Sequence, residues 1–129
     1  MTTWFNLFAV ASGGALGSVA RYLITLGSAA LPGGSSMLGT TIANLLGCAA
    51  IGAFSQYTLA DGMISERMRL AIQVGFLGGL TTYSAFAAES SGMAASGRLS
   101  LASLYVAANL LLGWLALILA AAAVKGTLG

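Results

Sequence analysis

The sequence predicts an all-α integral membrane protein with four transmembrane helices, the third broken at its centre. Three observations carry that expectation. Of the 129 residues, 58% are hydrophobic and 6% charged, against about 25% charged in a soluble domain. The charges fall only at Arg21, Asp61, Glu66, Arg67, Arg69, Glu89, Arg98 and Lys125, leaving uncharged intervals that meet the ~20 apolar residues a helix needs to cross the hydrocarbon core. The segment from Gly75 to Phe86, GFLGGLTTYSAF, then sets three glycines and two adjacent threonines inside one such interval, where a plain span would be written in Leu, Ile and Val.

The first span covers residues 4–28. No Lys or Arg precedes its apolar stretch, so it does not read as a cleaved signal, and its one charge, Arg21, is expected to snorkel to the interface. The uncharged interval from Tyr22 to Ala60 is too long for one crossing, and the run Leu31-Pro-Gly-Gly-Ser-Ser36 divides it with turn chemistry. The second span, residues 37–58, carries Asn44 at its middle and the lone Cys48, a thiol expected to be inert packing. Asp61, Glu66, Arg67 and Arg69 read as a solvated loop. The third span covers residues 68–91 and the fourth 99–124, the latter holding Tyr105 and Asn109. Residues 1–129 thus form a single four-helix transmembrane domain, with almost nothing left over for a soluble one.

Several function classes recede at once. The chain has no histidine, the commonest metal ligand and proton relay at neutral pH, so transition-metal transport is not expected. No nucleophile–base pair is visible, which argues against an enzyme, and nothing points to nucleic acid. With four spans both termini and the loop at 59–69 share one side, which carries Arg67, Arg69 and Lys125 against Arg98 and Arg21 towards the other. That near tie under the positive-inside rule permits insertion in both orientations.

Glycine is twice as frequent as usual, 18 of 129 against about 7%. Gly13 and Gly17 are four apart, as are Gly75 and Gly79, and Gly39, Ala43 and Gly47 repeat the spacing. Such ridges let helix backbones approach closely in lipid, either inside one subunit or between two. Four helices alone tend to close on a packed centre, so a pathway between two subunits, at least a homodimer, is the more economical arrangement.

In the third span Gly75, Gly78 and Gly79 each lower helix propensity by about 1 kcal/mol relative to Ala. They could form a packing face on an unbroken helix, but their clustering with Thr81 and Thr82 favours a break. Backbone that leaves a helix within the bilayer must find partners in protein or around a cavity or ion, and half-helix carbonyls commonly serve a monovalent cation. Tyr83 and Phe86 follow at a spacing that shares one helical face. Asn44 and Asn109 are amides in hydrocarbon, expensive unless bonded, and Thr40, Ser84 and Tyr105 add hydroxyls. With the positive edges of the aromatic rings, these make a lining of donors without a full positive charge, suited to a small anion.

The stretches GGALGSVARY (13–22), GTTIANLLG (39–47) and GFLGGLTTYSAF (75–86) resemble, in order and over nearly the whole chain, the CrcB/Fluc family of fluoride channels. The resemblance implies an antiparallel, dual-topology homodimer in a bacterial inner membrane, with two fluoride pathways along the subunit interface. It also implies a structural sodium ion at the dimer centre, held by backbone carbonyls of Gly78 and Thr81 from both subunits. The family's paired pore aromatics fall on Tyr83 and Phe86 and its pore asparagine on Asn44. Glu89 matches an acidic position beyond the aromatics, and Tyr105 a tyrosine on the fourth helix. Tyr83 departs from the family's usual Phe, and the polar position occupied by Asn109 varies. The expected fluoride pathway is therefore Asn44, Tyr83, Phe86, Ser84, Thr40, Tyr105 and Asn109, and the expected function is passive export of fluoride. The alternative is a small dimeric proton-coupled multidrug exporter, which would need a carboxylate in the first span, where residues 4–20 hold none.

Overall fold

Among residues 2–61 and 63–128, which the computed structural model describes, every regular element is helical. Helix α1 spans Thr2–Ala30 and α2 spans Ser36–Asp61. Helix α3, residues 66–80, opens with an α-helical turn, Glu66–Arg69, widens into a π-helical segment, Leu70–Leu77, and closes with Gly78–Leu80. Two extended residues separate it from α4, Tyr83–Ala95. Helix α5, residues 99–128, is α-helical except for a π-helical stretch at Ala108–Leu112. Four stretches, Thr3–Ala30, Ser36–Ala60, Glu66–Ala95 and Leu99–Thr127, are long and apolar enough to cross a membrane. They run a few residues past the expected apolar spans at most ends.

The connections are short and chemically specified. Between α1 and α2 the chain turns at Gly33, whose φ of 74° is costly for a residue with a Cβ, and Gly34 N–H closes on the Leu31 carbonyl at 2.8 Å. Ser65 caps α3 by accepting from Met68 N–H. At the end of α4, Gly97 takes φ 79° while Arg98 N–H returns to the Met93 carbonyl and Gly97 N–H to that of Ala94, both at 3.0 Å. That pattern is a Schellman closure.

Packing within the chain is largely backbone against backbone at the glycines. A Cβ on Gly13 would lie 2.2 Å from the Ala71 carbonyl oxygen, one on Gly17 2.0 Å from that of Phe76, and one on Gly79 2.5 Å from that of Gly14. The ridges Gly13/Gly17 and Gly75/Gly79 therefore seat α1 and α3 against each other inside one chain. In the third ridge Gly47 makes room for the Thr81 methyl, while Gly39 meets the backbone of Thr25 of α1. Gly52 does likewise for α2 and α5, where a Cβ would meet the Leu117 carbonyl oxygen at 2.2 Å. The apolar centre is small: Ala43, Leu77 and Leu80, flanked by Ala20, Ile24, Ile51, Ile72 and Phe76. Large apolar side chains such as Trp4, Phe8 and Trp114 point outward instead, as surfaces facing lipid must.

Candidate functional site

The interruption between α3 and α4 organises the site. Thr81 N–H and Thr81 Oγ1 both donate to the Leu77 carbonyl, at 3.0 and 2.9 Å. The backbone then leaves the helix, with φ, ψ of −86°, 151° at Thr81 and −147°, 122° at Thr82. Asn44 of α2 meets the exposed peptide with both ends of its amide. Its Oδ1 accepts Thr82 N–H at 2.8 Å, and its Nδ2 donates to the Thr82 carbonyl at 3.2 Å. One side chain thus replaces what a neighbouring strand would supply, and the polar backbone is satisfied at membrane depth.

The diverted donors have a second effect. In an unbroken helix each N–H bonds to the carbonyl four residues earlier, so Thr82 would serve Gly78 and Ala85 would serve Thr81. Here Thr82 N–H goes to Asn44, and Ala85 N–H goes to the capping Thr82 Oγ1 at 3.2 Å. The Gly78 and Thr81 carbonyls both lose their helical donors. Between them, the Gly79 carbonyl accepts from Arg21 Nε at 3.1 Å. Arg21, read from the sequence as a snorkelling charge, is half-buried and engages the end of α3. A guanidinium beside the partial negative charge of a helix C-terminus is favourable.

From Asn44 the hydrogen bonds continue into α5. Asn44 Nδ2 donates to Asn109 Oδ1 at 3.1 Å, and Asn109 Nδ2 donates to Thr41 Oγ1 and to the Tyr105 carbonyl, each at 3.1 Å. Nearby, Thr40 Oγ1 donates to one oxygen of Glu89 at 3.1 Å and Tyr105 Oη to the other at 2.5 Å. Among the described residues no buried side-chain polar atom lacks a partner. Thr40 and Tyr105 are thus hydroxyl donors whose protons point at Glu89, the strongest acceptor within reach. The donors of Asn44 are likewise engaged within the protein.

The aromatics lie beside this circuit. The Tyr83 and Phe86 ring centroids are 5.7 Å apart at 56°, and Phe86 sits 5.6 Å from Tyr105 at 40°. Phe86 is 6% exposed and Tyr83 76%, so the pair reaches from the interior to the surface of the chain. An open cavity of about 330 Å³ collects Asn44, Gly78, Thr81, Tyr83, Phe86 and Asn109, together with Thr82 and Gln73. Thr40 lines a separate cavity of about 320 Å³ with Arg21, Thr25 and Glu89. Tyr105 connects the two groups through its contacts with Phe86 and Glu89, whereas Ser84 is exposed beside the Thr82 hydroxyl at 3.3 Å.

Thr41 and the Gln73–Ser55 pair, joined at 3.1 Å, were not singled out from the sequence, and Thr82 was read only as part of the break. Two signals were available. Thr41 stands three residues before Asn44 and Tyr105 four before Asn109, spacings that share a helical face.

Residues 8–121 match the family model described as "CrcB-like protein, Camphor Resistance (CrcB)". The chain belongs to the CrcB family. A CrcB relative from Rhodopirellula baltica is 40% identical over 142 aligned positions, covering 97% of each chain. One from Geobacter sulfurreducens is 40% identical over 87% of this chain and 88% of its own, and one from Clostridium perfringens 40% identical over 71% and 72%. All three are named fluoride-specific ion channel FluC. The family match spans both the interrupted helix and the asparagine circuit. It also accords with a chain that crosses the membrane four times.

Proposed function

We propose that the chain is a fluoride-selective passive channel, not an enzyme, which lets fluoride leave the cytoplasm down its electrochemical gradient. The observation that carries the reading is the cavity at the interrupted third span, where Asn44, Asn109, Tyr83 and Phe86 converge in a chain 40% identical to channels of that name.

The physics of the ion suits such a lining. Fluoride is small and strongly hydrated, so a bare apolar pore would exclude it, and a fixed ammonium at the narrowest point would hold it too long. Conduction needs entry that is favourable and exit that is easy. Amide N–H groups, the Ser84 hydroxyl and the ring edges of Tyr83 and Phe86 are donors of that intermediate strength. Thr40 and Tyr105, which donate to Glu89, and Asn109, which donates to Thr41, would line the rest of the pathway.

Backbone that has left the helix cannot face lipid, and here the break lines a cavity that opens beside the exposed Gly78 and Tyr83. A second copy in antiparallel orientation, consistent with the near tie in flanking charge, would cover it and complete two pathways. The break in the third span is functional in this reading. The Gly78 and Thr81 carbonyls, relieved of their helical donors, suit a hard monovalent cation such as sodium. Two neutral oxygens fill only part of such an ion's shell, so both copies would contribute. Bound there, sodium supplies a fixed positive potential near both pathways.

The purified protein in liposomes should pass fluoride rapidly down its gradient, read with a fluoride electrode, without any coupled ion. A flux that needs a proton or sodium gradient would sink the channel reading. Sodium-free preparations should be less stable than sodium-loaded ones.

A further inference from the structure

We propose that Asn109 is the stand-in acceptor for the Asn44 N–H that fluoride takes over, so that passage at this point is an exchange of acceptors. The inference rests on the fluoride-channel reading above. It begins with the orientation of two amides, which the backbone decides. Thr82 N–H can only donate and its carbonyl only accept, so Asn44 must present Oδ1 to the first, at 2.8 Å, and Nδ2 to the second, at 3.2 Å. The Tyr105 carbonyl can only accept, so Asn109 must turn Nδ2 towards it, at 3.1 Å. The facing atoms are then Asn44 Nδ2 and Asn109 Oδ1, at 3.1 Å.

An amide nitrogen carries two protons. Those of Asn44 go to the Thr82 carbonyl and to Asn109 Oδ1, and those of Asn109 go to Thr41 and to the Tyr105 carbonyl. Neither residue has an N–H to spare. An anion in the cavity that both residues line gains one only by displacing an acceptor. Displacing the Thr82 carbonyl would unseat the peptide at the break. Displacing Asn109 Oδ1 disturbs one side chain, which keeps its two other hydrogen bonds. The count of hydrogen bonds on Asn44 is the same before and after: N–H···O is broken and N–H···F is made.

The exchange also explains how a donor to a strongly binding anion can let it go. The bond to fluoride is charge-assisted and stronger than the neutral bond it replaces, which draws the ion in. The Asn109 oxygen then reclaims the proton as the ion leaves, so the net grip is the difference between the two bonds. Asn109 is in this sense a positioning residue whose effect is exerted on Asn44.

The test is fluoride flux into liposomes as a function of fluoride concentration. Asn109→Leu removes the stand-in, so fluoride should be held more tightly. The concentration for half-maximal flux should fall about tenfold, the scale of one hydrogen bond lost or gained, and the maximal flux should fall with it. Asn109→Ser keeps an oxygen on a shorter stem and should lie between Asn109→Leu and the wild type. A role in packing alone would lower maximal flux at an unchanged half-maximal concentration, and that result overturns the proposal. A measurement on the unaltered protein does not depend on how the variants fold. The chain has three asparagines, at 6, 44 and 109, so ¹⁵N-asparagine labelling gives three side-chain amide signals. Sodium fluoride, but not sodium chloride, should shift the Asn44 signal, and an unmoved Asn44 signal overturns the exchange. If the wild type passes no fluoride, the channel reading falls and takes this proposal with it. Wild-type flux with an unchanged half-maximal concentration in Asn109→Leu removes the exchange alone.

Discussion

The α1–α3 seam and the α3–α4 interruption share one stretch of chain and are held together by opposite means. At the seam, side chains have been removed so that backbones touch, as at Gly17 against Phe76 and Gly79 against Gly14. At the interruption, the backbone has let go of itself and side chains have taken over its hydrogen bonds, as Asn44 does for Thr82. Lipid offers no hydrophobic force between helices, so the first region depends on shape and the second on polar satisfaction. The seam should therefore fail when volume is added. The interruption should fail when a polar atom is taken away.

The largest expected effect is at the seam. Gly17→Val places a Cβ 2.0 Å from the Phe76 carbonyl oxygen, a contact backbone cannot relieve. The loss should exceed the ~1–3 kcal/mol of ordinary overpacking and appear as loss of monodisperse protein on size exclusion. Recovery of normal amounts of folded Gly17→Val would mean the seam is looser than its geometry. Asn44→Leu comes next. It strands the Thr82 N–H and carbonyl, at about 1–3 kcal/mol for each unpaired group, and should lower thermal stability in detergent while abolishing most fluoride flux. Unaltered stability would show that the break is not pinned by this amide.

Thr82→Ala sharpens the comparison, because it spares the Asn44 contacts and removes the cap bond to Ala85. A loss of about 1 kcal/mol is expected, measurable as a small drop in melting temperature. If it equalled the loss in Asn44→Leu, cap and amide would be one unit. The smallest effect lies at the exposed end of the α1–α3 pair, away from its glycines, where Arg67 sits 5.0 Å over the Phe5 ring. Arg67→Ala should remove about 0.5–1 kcal/mol as an exposed cation–π contact, with flux unaltered.

The four crossings were legible because charge is so rare in this chain that its placement marks the ends. The two asparagines were legible as a problem, since an amide in hydrocarbon must be bonded to something. What it is bonded to was not. Thr82 is 38 residues from Asn44, and Asn109 is 65, so their meeting is a product of helix packing that no local pattern records. The same holds for the glycines of the third span. By composition Gly75, Gly78 and Gly79 are alike, but Gly75 and Gly79 pack on α1 while Gly78 borders the cavity. Glu89 shows the limit from another side: nothing in the sequence places a carboxylate between Thr40 and Tyr105, and only the fold brings the three together.

The seam has a bearing on biogenesis. Arg21 and its acceptor on Gly79 are 58 positions apart, and the whole of α2 is synthesised between them. During that interval the glycine groove of α1 has no α3 to fill it, and the guanidinium has no Gly79 carbonyl to meet. The nascent chain must therefore hold a vacant slot and an unmatched charge at the membrane until its third crossing arrives.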